Sequence, residues 1–113
     1  MSECIFCKMV NKEIPIDPVY EDDKVLAFKD INPKAPVHIL IIPKKHISTL
    51  VDTEESDLET LGHIHYVANQ IAREQGVAES GFRIVNNCNK DGGQEVFHLH
   101  FHLLGGKRLG SFW

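Results

Sequence analysis

The chain has 113 residues, 42% of them hydrophobic and 25% charged, with a formal net charge of -4 when histidine is neutral. These values fit one globular domain spanning residues 1–113 and exclude a nucleic-acid partner held by bulk charge. No apolar run reaches membrane-spanning length, so no membrane partner is expected. The first residues lack a secretory signal pattern and three cysteines make no disulfide framework, so the expected location is cytoplasmic.

Cys4-Ile5-Phe6-Cys7 opens the chain. CxxC spacing suits a knuckle that presents two thiolates to one ion, but a zinc site takes four ligands and no second CxxC exists. Two buried thiols are the alternative reading. A proline-punctuated crossing leads to a short strand at Val19-Tyr20-Glu21. A hairpin turn at Asp22-Asp23-Lys24 leads to a second strand at Val25-Leu26-Ala27-Phe28. Asp30, just past that strand, is read from its spacing as a turn former, with a diol-gripping acid as the second option.

Residues 37–43 are nearly continuously apolar, which predicts a central strand that stops at Pro43. His38 is the polar exception near its start. Asp52 with Glu55 three residues later predicts a helix cap. Leu58, Leu61, Ile64, Val67, Ala68, Ile71 and Ala72 then form a stripe at helical spacing, and Gly76 is the expected stop. His63 and His65 do not share a helix face and are read as surface or interface residues. Residues 81–87 predict a further strand. A loop with Gly92-Gly93 follows, of the kind that lets backbone N–H groups converge on an anion.

Residues 96–104 then alternate histidine with apolar side chains. On a strand, His98, His100 and His102 share one face, while Phe97, Leu99, Phe101 and Leu103 pack on the other. Three imidazoles in a row point to chemistry near neutral pH. Two readings compete: a metal centre, or nucleophilic attack by the middle imidazole at phosphorus. The glycine loop, Asn87 and Asp30 suit phosphate and sugar, and so favour the second. The tail beyond Gly105-Gly106 lacks periodicity but ends in Phe112-Trp113, which suggests docking, with Trp113 a candidate contact.

The segments Cys4-Ile5-Phe6-Cys7, Ala27-Phe28-Lys29-Asp30-Ile31, Ile42-Pro43-Lys44-Lys45-His46-Ile47, Asp91-Gly92-Gly93-Gln94 and the triad with Gly105-Gly106 together resemble the histidine-triad nucleotide-binding proteins, and within them the Hint branch. Gly-Gly after the triad looks like that branch, where dinucleoside-polyphosphate hydrolases carry Pro-Arg. His102 looks like a hydrolase, where the uridylyltransferase relatives carry Gln.

The resemblance implies an α+β fold: about five antiparallel strands and one main helix, with two subunits pairing into a continuous sheet. It implies a hydrolase cleaving P–N bonds of purine nucleoside 5′-phosphoramidates through a nucleotidyl-His100. A non-catalytic nucleotide-binding module and a dinucleoside-polyphosphate hydrolase are the alternatives. His102, His38 and His98 would complete the catalytic set. Asn87 and the backbone of Gly93, Gln94, Glu95 and Val96 would cradle phosphate, Asp30 would hold ribose, and Ile5, Phe6, Met9, Phe28 and Ile31 would form the base slot. Cys4, Cys7, His46 and His98 would bind a structural zinc, with no organic cofactor. Two departures stand out: Glu95 replaces a usual Ser, and the tail lacks the usual Trp-Pro-Pro ending. His98 in the zinc set also requires a twist or bulge near Phe97, because simple alternation puts it beside His100.

Overall fold

A computed structural model describes residues 4–111. Trp113 lies outside the described residues.

The first element, α1 (Ile5–Val10), is a short helix rather than an irregular knuckle. Cys4 is its N-cap, and its sulfur accepts the Cys7 N–H at 3.2 Å. The CxxC spacing is the N-cap to N3 spacing, so the first turn holds both sulfurs on one side.

The hairpin strands are β1 (Tyr20–Glu21) and β2 (Val25–Lys29). They are joined where Asp22 Oδ1 accepts the N–H groups of Lys24 and Val25 at 2.8 and 2.9 Å. Next comes β3 (Val37–Pro43), which is buried from His38 onward. The remaining strands are β4 (Phe82–Val85) and β5 (Phe101–Gly105). All pairings are antiparallel, in the order β1-β2-β3-β5-β4. The apolar β3 therefore takes the centre, as its composition predicts.

The long helix, α2 (Leu58–Glu74), begins later than the Asp52–Glu55 signature predicts. Thr49 caps a 3-10 turn (Leu50–Asp52), and a second turn (Glu55–Asp57) follows. The effective cap pairing is shifted: Asp57 accepts the Glu54 N–H at 2.9 Å and also takes Lys45 Nζ at 2.8 Å. Leu58 is therefore in the first turn and exposed, and full burial along the stripe begins at Ile64. Gly76, at φ +76°, ends the helix as expected.

The sheet separates two apolar layers. On one face, Ile64, Val67, Ala68 and Ile71 of α2 pack on Val25, Ala27, Ile39, Ile41, Phe101 and Leu103. Each fully buried aliphatic side chain there is worth about 1.5–3 kcal/mol. On the other face, Phe6 of α1 packs on Leu26, Phe28, Leu40 and Ile42. His63 ties α2 to the β1–β2 turn through Asp22 Oδ2 at 2.6 Å. His65 is exposed and bonds the Leu61 carbonyl at 2.8 Å. The tail crosses β4 where Arg83 Nη2 donates to the Gly110 carbonyl at 2.6 Å. No helix among the described residues is long and apolar enough to cross a membrane.

Candidate active site

The triad segment is a strand only from Phe101, and residues 96–98 form a bend before it. Leu99, Phe101 and Leu103 pack into the α2 layer as expected, whereas Phe97 is 48% exposed because the bend lifts it off the sheet. A bend is present near Phe97, but the metal-type cluster does not need it: His98 stays on the α1 side with its neighbours, so its place beside the thiols needs no reversal of face. The Phe6 ring lies edge-on to both His98 and His100, with centroids 5.8 and 5.4 Å away. Because α1 carries the thiols on that side, the metal-type cluster and the triad share one face.

A cleft of about 900 Å³ opens on this face. Ile5, Phe6, Met9, Phe28, Asp30 and Ile31 line one wall, and Asn87, Gly93, Glu95 and Val96 line another. His38, His100 and His102 line the cleft as well. The Gln94 side chain does not, and the phosphate contact that the resemblance implies there is one of the backbone from Gly93 to Val96. The Gln94 amide is 8% exposed, donates to the Ser48 and Val96 carbonyls, and accepts the Asn89 N–H. It braces the loop from behind. His98 also lies outside the cleft lining and is fully buried.

The hydrogen-bond network assigns the ring protons. His98 Nε2 donates to the Pro43 carbonyl at 2.8 Å, leaving Nδ1 as a lone pair. His100 Nδ1 donates to the His98 carbonyl at 2.8 Å, leaving Nε2 unprotonated in the cleft. Lys34 N–H donates to His38 Nδ1 at 3.0 Å, so the His38 proton is on Nε2 and reaches His102 Nδ1 at 2.9 Å. His102 therefore carries its proton on Nε2. Register explains this contact: His102 pairs with Leu40 and Leu104 with His38, which makes His38 and His102 diagonal neighbours on adjacent strands.

Burial, helped by the closeness of the His100 and His38 imidazoles, pushes His102 down to about 4, and burial also lowers His38. Both rings are neutral at pH 7. Asp30 serves the turn and the site together. Its Oδ1 accepts the Asn32 N–H at 2.8 Å, and its Oδ2 lies 3.4 Å from His38 Nε2.

Asn86 is a residue that sequence reasoning missed. Its Nδ2 donates to the His100 carbonyl at 2.9 Å and fixes the backbone of the central histidine. An asparagine pair at a strand end, one half facing the cleft, was the available signal.

The other cluster joins Cys4, Cys7, His46 and His98. His98 Nδ1 lies 3.3 Å from Cys4 Sγ, 3.6 Å from Cys7 Sγ and 3.2 Å from His46 Nδ1, with Cys7 Sγ to His46 Nδ1 at 3.2 Å. Nitrogen and sulfur ligands of a tetrahedral zinc ion lie about 3.3–3.6 Å apart. Burial and the adjacent Cys4 push the Cys7 thiol up to about 11, and burial pushes His98 down to about 4. An uncharged His98 imidazole and a Cys7 thiol that needs a cation to ionise fit a zinc ion, which these four residues could hold. Asp30, His38 and His102 also lie close together. There the His38 proton occupies the inward nitrogen, so that group is a hydrogen-bond relay rather than a metal donor set.

The HIT domain family model matches residues 11–109. The chain belongs to the HIT family. A purine nucleoside phosphoramidase of Escherichia coli (strain K12) is 52% identical over 108 residues, covering 96% of this chain and 91% of that protein. The 14 kDa zinc-binding protein of Zea mays is 51% identical over 110 residues, covering 96% and 85%. A histidine triad protein of Clostridium difficile superposes with a TM-score of 0.95 at 54% identity, covering 100% of this chain and 98% of that one. A HIT family hydrolase of Legionella pneumophila gives 0.92 at 50% identity, covering 95% and 96%.

Proposed function

We propose that this HIT protein hydrolyses purine nucleoside 5′-phosphoramidates, AMP-amine compounds, through a covalent nucleotidyl-His100. The observation that carries the reading is the tautomer of His100. Its Nδ1–H is committed to the His98 carbonyl, so a lone pair on Nε2 faces the cleft.

In the first step the His100 Nε2 lone pair forms a bond to phosphorus and the P–N bond breaks. The leaving nitrogen keeps that electron pair and takes a proton from solvent at the open mouth. The charge gained by the His100 ring is shared with the His98 carbonyl through Nδ1–H. The Nε2–H of His102, set by His38, donates to a phosphoryl oxygen as charge builds there. In the second step water attacks phosphorus and releases a proton to solvent. The N–P electron pair returns to His100, and the nucleoside monophosphate leaves. Asp30 holds the ribose at the nucleoside wall, and the apolar slot holds the base by its face.

The four-residue cluster holds a structural zinc, closed by four protein ligands and supplying no reaction chemistry. The exposed apolar residues of α2 and the free edge of β4 support a homodimer. The unbridged cysteines support the expected cytoplasmic location.

The test is release of AMP and ammonia from adenosine 5′-phosphoramidate. The wild type turns over, and His100→Ala lowers kcat at least about 1,000-fold while still binding AMP. Wild-type rates in that variant overturn the reading.

A further inference from the structure

The loop between β4 and β5 contributes Asn87, Gly93, Glu95 and Val96 to the cleft, and Glu95 is the only charged side chain among them. It is exposed at the rim. Of the other acids that line the cleft, Asp30 accepts the Asn32 N–H, and Asp17 lies with it on the opposite wall. Glu95 takes part in none of the ion pairs or side-chain hydrogen bonds among the described residues. The cations of the cleft, Lys29 and Lys34, belong to the nucleoside wall across from it, as do Asp17 and Asp30. The cleft thus carries mixed charge at the nucleoside end and a lone carboxylate at the other.

A carboxylate beside a phosphate site repels the phosphate, so in that role alone it lowers affinity. Its place on the wall gives it a different target. With the nucleoside on the α1 and β2 side and phosphorus over His100, the substituent beyond phosphorus extends past Glu95 toward solvent. A cationic group there is attracted, whereas an anionic one meets repulsion without compensation.

We propose that Glu95 selects the leaving group: it favours phosphoramidates whose amine carries a second, ammonium-bearing arm, such as diamines or basic side-chain amines, and it disfavours anionic leaving groups, nucleotides included. This rests on the phosphoramidase reading. One pair of unit charges about 6 Å apart at an effective dielectric near 40 shifts binding by about tenfold.

The experiment compares kcat/KM for three adenosine 5′-phosphoramidates of similar length, made from 1,4-diaminobutane, n-butylamine and 4-aminobutanoate. In the wild type the diamine compound is cleaved about tenfold faster than the butyl compound, and the aminobutanoate compound about tenfold slower. The spread narrows as salt rises. Glu95→Gln brings the three within about twofold, and Glu95→Lys inverts the order. Each ratio is taken within one variant, so a general loss of activity does not affect the result. Cleavage of all three compounds with the same ratios in wild type and Glu95→Gln overturns the role of Glu95 and leaves the phosphoramidase reading intact. Cleavage of none by the wild type overturns that reading, and the selection with it.

Discussion

His100 hangs from His98: its Nδ1–H donates to the His98 carbonyl at 2.8 Å, while the His98 ring turns its own Nδ1 toward Cys4 and Cys7. One residue therefore belongs to the metal-type cluster by its ring and to the active site by its backbone. Phe6 strengthens the link, because it follows the first thiol by two residues, lines the cleft and rests on both imidazoles.

Metal removal should for this reason damage two properties at once. Stripping zinc under reducing conditions, or replacing Cys7 with Ser, should cost about 3 kcal/mol of stability, close to 10 °C in Tm. AMP affinity should fall with it, because α1 carries part of the cleft wall. Metal analysis, calorimetry and AMP titration check the three parts. A Tm indifferent to metal content would dissociate the cluster from the fold.

Acid should destabilise the protein in two stages. His102 sits at about 4 in the folded chain against 6.5 when free. A base depressed in this way contributes stability that is complete above 6.5 and is lost as pH falls from there to about 4, on the order of 1–3 kcal/mol. Asp22 behaves as a depressed acid. Burial raises its pKa, but bonds from His63, Tyr20 and the Lys24 and Val25 N–H groups outweigh that and hold the carboxyl below its usual range. Its contribution is present above about 3.8 and is lost below. Melting curves from pH 8 to 2 should show both stages. Asp22→Asn should lower Tm at pH 7 and reduce the lower stage.

Much of this architecture was legible because local pattern and tertiary fate agree. The apolar run of 37–43 became the central strand, and the α2 stripe became one layer of the core. The start of α2 was misread because an acid-rich stretch offers two cap signatures, and Asp57, bonded to Lys45 from another segment, decides between them. The bracing role of the Gln94 amide was not legible because sequence does not show that it turns inward to three backbone partners. The His38–His102 contact depends on strand register, which no local signal carries.

The two glycine pairs should separate binding from stability. A Cβ on Gly92 would lie 2.5 Å from the Cys88 carbonyl oxygen and 2.8 Å from the Cys88 nitrogen, so the backbone of the β4–β5 loop that lines the cleft must move. Gly92→Ala should weaken AMP binding by about tenfold or more. Gly106, at φ +94°, would place its Cβ 2.9 Å from the Pro36 ring. Gly106→Ala should cost about 2 kcal/mol of stability with little change in affinity, since Gly106 does not line the cleft. Equilibrium unfolding and nucleotide titration on both variants check the contrast.

The outward face of α2 should mediate self-association. Leu58 and Tyr66 are 63% and 58% exposed, and Gly62 sits between them at four-residue spacing with nothing within 4 Å of its would-be Cβ. That row leaves room for close approach of a second helix. Beside it, β4 is an edge strand that pairs only with β5 among the described residues, and Val51 is 76% exposed. A bare apolar row next to an unpaired edge is a surface that soluble proteins cover. Sedimentation equilibrium should therefore find a dimer at micromolar concentration. Tyr66→Glu should bury a charge in that contact and weaken the dimer about 100-fold or more, roughly 3 kcal/mol, leaving a folded monomer by circular dichroism. A wild-type chain that stays monomeric at the highest soluble concentration would refute the interface.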